Sequence, residues 1–265
     1  MKTIFSTLCS FLMALPLIAV EPSWAKEITS AKPGSHPPLR PTKLLYQLSW
    51  KGQVQAGHVI FTFGAKGSND KILKTTCVGG SEGVAAKLFP YSFDMQGQVN
   101  KNDLSPLLMH CSETDKEETQ VTTVRYFPGM VNVKEVSRPH NTGVDATMNR
   151  TFAFAPVFDA FTSMLHIRSQ TLKQGDEITI VIHPFASPYL AKIQVLGREK
   201  MNGNDAIKLD IGLTKINKDL TLKPYTKMKK ATLWISDDAD RIPLELRVAA
   251  YIGDVRMTLE KKESL

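Results

Sequence analysis

The sequence predicts a mainly β protein: an antiparallel, strongly curved sheet, half-barrel or sandwich, of about 10–12 strands around one central α-helix. Three observations carry this. Apolar residues recur with period two through most of the chain. Turn signals separate these runs at spacings of about 8–12 residues. One stretch, 154–170, keeps a helical period instead. The composition agrees: of 265 residues, 42 % are hydrophobic and 22 % charged, with net charge +7. That is ordinary globular composition and excludes a disordered or fibrous chain. Only the extreme N-terminus reads as membrane-directed, which excludes a multi-span transporter.

The first element is an export leader. Lys2 supplies a positive charge, residues 4–20 form an uncharged and mostly apolar run broken by Pro16, and Ser23-Trp24-Ala25 offers small residues where signal peptidase reads them. Cleavage is expected after Ala25, which places the protein in the periplasm. The alternative is a retained anchor, for which the run is short and Pro16 unfavourable. Cys9 lies inside this apolar run and belongs to it. Removing residues 1–25 takes away Lys2 and Glu21 and leaves the net charge at +7. Residues 26–43 carry Pro33, Pro37, Pro38 and Pro41 with Gly34 and small polar residues, and read as an extended linker. The folded domain is expected over 44–262.

Strands then follow in order. Leu44, Tyr46, Leu48 and Trp50 share one face before Gly52, and Val59, Phe61 and Phe63 alternate with His58, Ile60 and Thr62. Further strands are expected near 70–78, 92–100, 106–115, 119–127 and 130–138. The second half adds 176–183, 189–198, 204–213, 230–236, 242–250 and 254–260. Phe-Pro-Gly at 127–129, Gln-Gly-Asp at 174–176 and Asn-Gly-Asn at 202–204 mark turns between them. Residues 81–89 suit a short helix. In 154–170, Val157, Phe158, Phe161, Met164, Leu165 and Arg168 form one stripe, with Pro156 at the first helical position. Asp159, Thr162, Ser163 and His166 lie opposite, as a polar face. Arg168 ends the apolar stripe and requires a carboxylate partner if buried.

Cys77 and Cys111 are the two cysteines beyond the leader, each in a strand-like stretch. In an oxidising compartment they read as one disulfide, contributing about 3–4 kcal/mol by the chain-entropy argument. Two buried thiols that never meet are the alternative.

Catalytic patterns are weak. Asp159 and His166 stand about 10 Å apart along a helix, so one straight helix cannot join both to a serine, and no GxSxG elbow occurs. The histidines at 58, 110, 140, 166 and 183 are scattered without metal-ligand spacing. The turn SDDADR, 236–241, gathers Asp237, Asp238, Asp240 and Arg241, but lacks the glycine and glutamate of a calcium loop. No metal and no cofactor are expected. Asn149-Arg150-Thr151 matches a glycosylation sequon, a pattern common by chance. Residues 215–230 hold Lys215, Lys218, Lys223, Lys227, Lys229 and Lys230 against Asp219 alone. They suit a contact with anionic lipid headgroups or polyanionic glycans, or else a solvated loop. Tyr225 is the one aromatic among them, so nucleic acid is not indicated.

Four motifs carry a resemblance: YQLSWKGQVQAG from Tyr46, PVFDAFTSMLHIR from Pro156 with Gly175-Asp176 after it, VLGREK from Val195, and WISDDADRIPLEL from Trp234 with Gly253 beyond. Through about 44–260 the chain resembles bacterial exported proteins with the domain of unknown function numbered 3108. His166 departs from that pattern, where an aromatic residue is expected, and the cysteine pair is not a feature of it. The resemblance implies export to a Gram-negative-type envelope and a mainly antiparallel β fold, and it implies no reaction.

The function expected is therefore a non-catalytic binding or carrier module for an apolar or anionic envelope component, a lipid or glycan. Phe61, Phe63, Phe152, Phe154 and Phe158 are candidates to line its cavity, or simply to pack the core. A structural or assembly factor of the envelope is the alternative, and a hydrolase a third reading. Arg168 and Arg241 with Asp237 and Asp238 are the candidate structural or ligand-binding group. The expectation is that Arg168 pairs with Asp237 or Asp238.

Overall fold

The computed structural model describes residues 21–29, 31–226, 228–250 and 253–265. The expected leader core, 4–20, and Lys227 lie outside the described residues, as does the side chain of Lys229.

Fifteen strands form one antiparallel sheet. The first half is a meander: β1 (Thr42–Trp50), β2 (Val54–Phe63), β3 (Ile72–Ser81), β4 (Ser92–Asn100), β5 (Pro106–Thr114), β6 (Glu118–Phe127), β7 (Met130–Pro139) and β8 (Ala146–Phe152). The second half is β9 (Glu177–Ile182), β10 (Tyr189–Met201), β11 (Asn204–Ile216), the three-residue β12 (Leu222–Pro224), β13 (Met228–Ser236), β14 (Pro243–Ala250) and β15 (Gly253–Ser264). Helix α1 (Gly83–Leu88) joins β3 to β4, and α2 (Ala160–Ser169) joins β8 to β9. The last strand closes back on the first, β1 pairing with both β2 and β15, so the spatial order runs from β8 through β1 and β15 to β9. The two ends of this order are β8 and β9, which do not pair, so the sheet is an open half-barrel.

Register shifts at Leu45/Tyr46, Leu48/Ser49, Gln98/Val99 and Val195/Gly197 supply curvature, because each bulge adds local twist. The curved sheet encloses α2. Phe161 packs edge-on against Phe61 and Phe63 of β2 and lies over Gly97 of β4, where a Cβ would stand 2.7 Å from its ring. Phe161 and Leu165 belong to the core of the first half, Phe158 and Ile167 to that of the second. The helix joins the two halves.

The polar face expected on this helix is present but lies inside the protein. Asp159, Thr162 and His166 are fully buried, because the sheet wraps the helix on both sides. The helix starts at Ala160 and not at Pro156, since Asp159 makes a capping box with Thr162 and outcompetes the proline position. Two strands escaped the sequence reading, β8 and the short β12. Trp50 also departs from the inner face assigned to it, and is exposed at the end of β1.

The expected disulfide is absent. Cys77 and Cys111 are both free and buried. Met95 of β4 pairs with Cys77 on one side and with Cys111 on the other. Two strand spacings put the cysteine Cα atoms roughly 10 Å apart, beyond the ~7 Å limit of a bridge. Burial pushes both thiols up, Cys111 to about 12.

The segment read as a linker is extended, as its prolines require, but it is tied along its length. Thr29 donates its amide to Thr179 of edge strand β9 at 2.9 Å, Gly34 donates to the Ser169 hydroxyl, and Arg40 makes a two-pronged pair with Asp240.

Candidate functional site

An apolar groove of about 830 Å³ lies at one end of the half-barrel. Its walls come from the β4–β5 turn, the β6–β7 turn, the 154–158 segment that leads into α2, and the N-terminal segment laid across them. Ile28, Leu107, Phe127, Val131, Phe154 and Phe158 are among its apolar lining. Tyr126 stands in the wall with its hydroxyl donated to the His183 carbonyl at 3.0 Å. Rim charges are Glu21, Lys32 and Asp103, so no cationic funnel for an anion is formed there. The groove sits where the sheet stays open. Phe158 bridges to Ile182 of β9, its amide donating to the Val181 carbonyl at 2.9 Å. Thus 154–158 and the N-terminal segment together cover the gap that β8 and β9 leave.

Trp24 packs beside the groove on Phe154. It is buried, its ring stands 4.8 Å from that of Phe154, and its indole N–H donates to the Leu220 carbonyl at 2.7 Å. Of the five phenylalanines expected at a cavity, Phe154 and Phe158 line the groove. Phe61 and Phe63 pack on Phe161, and Phe152 packs on Phe154 and His183, all as core. The sequence reading missed Trp24 and Leu107. Trp24 was assigned to the leader, and Leu107 sits next to a proline at a strand start, where period two carries no signal.

The arginine–aspartate group assembles differently from the expected pair. Arg168, 2 % exposed, donates to three carbonyls: Asp240 at 3.0 Å, Ala239 at 3.2 Å and Pro37 at 2.9 Å. No carboxylate is its hydrogen-bond partner. Asp238 is spent on its own turn, accepting from the Ser236 hydroxyl and from the amides of Asp240 and Arg241. Asp237 faces outward and takes Arg198 at 2.7 Å. Arg241, held at φ 43°, reaches back to α2 and donates to the carbonyls of Arg168, Gln170 and Thr171. The physical reason is local. A helix C-terminus and a tight turn both leave carbonyls without amide partners, and a guanidinium fork satisfies several at once. Burial and the neighbouring Arg241 lower Arg168 to about 10. Asp240, bonded by Arg40 and Lys262, is held down to about 2.

The described part of the lysine segment lies on the β11–β12 hairpin and the start of β13. Lys215 and Lys223 face each other across β11 and β12, Lys230 stands 3.9 Å from Asp210, and Lys218 lies in the intervening turn. The residues of the hydrolase reading are otherwise engaged. Asp159 accepts the Thr162 amide at 2.6 Å, and the Ser163 hydroxyl donates to the Ala160 carbonyl. Among the described residues no three acidic, histidine or cysteine side chains converge in a way that would hold a metal ion.

A family model described as a protein of unknown function, DUF3108, matches residues 45–260. The chain belongs to the DUF3108 family. No curated protein matches. Among solved structures, the chain is similar to a beta-barrel-like protein of the domain of unknown function DUF1849 from Brucella abortus. The two share 11 % identity at a TM-score of 0.53, over 86 % of this chain and 99 % of that one. At that identity the likeness concerns the fold. For this DUF3108 member it supports the curved, barrel-like sheet and leaves function to the groove.

Proposed function

We propose that this protein is a non-catalytic binding or carrier module of the bacterial envelope that holds an apolar ligand, of acyl-chain chemistry, in the groove beneath residues 28–33. The observation that carries this is the groove itself. Its volume of about 830 Å³ falls in the range of small-molecule sites, and its walls are largely apolar. The rim that remains after cleavage, Lys32 and Asp103, is balanced and favours an apolar ligand over an anionic one. Export to the periplasm is supported by the leader-like run at 4–20. If the leader is cut after Ala25, Trp24 leaves with it and uncovers more of the Phe154 ring, which already lines the groove.

The reading contains no reaction, in keeping with the use of Asp159 as a helix cap. The test is organic extraction of the exported protein followed by mass spectrometry of the extract. The proposal expects an acyl-bearing molecule in near-stoichiometric amount. A ligand-free protein would favour the assembly-factor reading instead.

A further inference from the structure

A second concave site lies on the outer face of the sheet. It is a cleft of about 180 Å³ over β3, β4 and β5, lined by Lys66, Lys74, Gln96, Gln98 and His110 together with Leu108. The strand period places these side chains outside. Thr75 and Met109 are buried and pair with Gly97 from either side on the inner face. Lys74, Gln96, Gln98, Leu108 and His110, each one residue away along its strand, therefore point outward. The β2–β3 connection folds back along the cleft. The amides of Gly64 and Ala65 both donate to the Lys74 carbonyl at 3.0 Å, and the Lys74 amide donates to the Ser68 hydroxyl at 2.9 Å. Gly67, at φ 90°, leaves room for the Lys74 ammonium, since a Cβ there would stand 3.0 Å from its Nζ. Lys66 is carried on the same connection, so two ammonium groups border one cleft.

We propose that this cleft binds a phosphate group, as the free ion or as the phosphoester of a lipid headgroup. Its lining is rich in donors that nothing else uses. Among the described residues, Lys66, Lys74, Gln96 and Gln98 have no side-chain hydrogen bond or ion pair, and His110 is bonded to Thr123 through Nδ1 only. Like charges around one cleft repel, and an anion between them turns that repulsion into charge-assisted hydrogen bonds. The lysines supply charge from the turn, and the carboxamides at i and i+2 of β4 supply N–H donors from the sheet. Donors on two sides suit a tetrahedral oxyanion better than a planar carboxylate. No carboxylate lines the cleft. On the same face Asp94 stands one cross-strand row further on, and Asp70 stands in the β2–β3 connection. Against these two acids stand Lys66, Lys71, Lys74 and Arg125, the last continuing the row of Lys74, Gln98 and Leu108. The site is separate from the groove, with which it shares no lining residue.

The test is titration of the exported protein with inorganic phosphate, followed by heteronuclear NMR of the Gln96 and Gln98 side-chain amides and the His110 ring. Glycerol 3-phosphate and glycerol are titrated in parallel. Saturable shifts of these three residues are expected with both phosphates and none with glycerol. Tighter binding of glycerol 3-phosphate would assign the source to a lipid headgroup, and tighter binding of inorganic phosphate to the free ion; either supports the site. Lys66→Gln and Lys74→Gln should each weaken binding at least about fivefold, whereas Lys116→Gln, at the distant β5–β6 turn, should not. Thermal melts of the three variants should match wild type, because no ion pair or side-chain hydrogen bond is lost. Absence of shifts at millimolar phosphate would overturn the proposal. So would equal weakening by Lys116→Gln and Lys74→Gln, which would make the binding a response to net charge alone. A groove that proves ligand-free leaves this result untouched.

Discussion

Arg168 and Arg241 each satisfy the backbone carbonyls of the element that carries the other. Arg168 of α2 bonds Ala239 and Asp240 in the β13–β14 turn, and Arg241 of that turn bonds Arg168, Gln170 and Thr171 at the helix end. This reciprocal clasp fixes α2 inside the curved sheet, and Pro37 and Arg40 draw the N-terminal segment into the same knot. The helix lead-in, 154–158, is a wall of the groove, so the clasp sets the position of that wall.

Replacing Arg168 by Ala leaves buried carbonyls unpaired and should cost roughly 3 kcal/mol, a fall in Tm of about 6–12 °C for a chain of this size. Arg168→Lys should recover little, since one ammonium cannot span three carbonyls. Because the two arginines share one clasp, the Arg168→Ala/Arg241→Ala pair should cost less than the sum of the singles, by at least about 0.5 kcal/mol. Urea unfolding of the four proteins measures this. Strict additivity would contradict the clasp.

Cys77 and Cys111 should both be reduced in the unreduced protein and unreactive until it unfolds. Burial raises both thiols, so thiolate is scarce at neutral pH. A thiol reagent added before and after denaturant checks this. A cross-linked peptide containing both cysteines would contradict it.

Asp240 gives an acid-side signature. Its carboxyl is held at about 2 by Arg40 and Lys262, below its unfolded value near 4. A depressed carboxyl stabilises above its unfolded pKa and loses that contribution as pH falls through its folded one. Asp240→Asn should therefore be less stable than wild type above pH ~4, with the gap closing between about pH 4 and 2. A gap that stays constant over that range would contradict the ion pair.

Asp159 runs the other way. Burial raises its carboxyl to about 6, against the Thr162 bonds that lower it. The folded state then holds the proton more tightly, and stability declines as pH rises through about 6. Asp159→Asn keeps an acceptor for the Thr162 amide and should remove that decline. Asp159→Ala loses the cap and should cost about 1–2 kcal/mol near pH 4, and because it also lacks the carboxyl its deficit against wild type should narrow as pH rises through about 6. Stability profiles of the three proteins from pH 4 to 8 would show it.

Much of the sheet was legible in the sequence, because a strand with one buried face writes period two into its residues. Leu44 and Tyr46, or Val59 and Phe63, are buried as that period requires. Strand β8 was not legible, since at the open edge its residues from Ala146 to Asn149 are exposed on both faces and carry no alternation. The disulfide expectation failed on topology. A strand at 92–100 was already readable between the cysteines, and in a meander it keeps its neighbours two spacings apart. Arg168 was expected to need a carboxylate if buried, and it is buried without one as a hydrogen-bond partner. Its partners were carbonyls, which every residue owns and no sequence pattern displays. The groove was half legible: Phe154 and Phe158 were candidates, but the roof comes from a segment whose prolines and small polar residues predict only an extended chain.

The apolar groove is the centre of this account, and titration of a fluorescent acyl-chain probe into the exported, delipidated protein tests it most directly. Wild type should bind saturably at one site. Leu107→Asp and Phe127→Asp, both at exposed positions in the groove wall, should fold normally and weaken binding at least about tenfold. Saturable binding of equal strength in all three proteins, or no binding by wild type, would contradict the assignment.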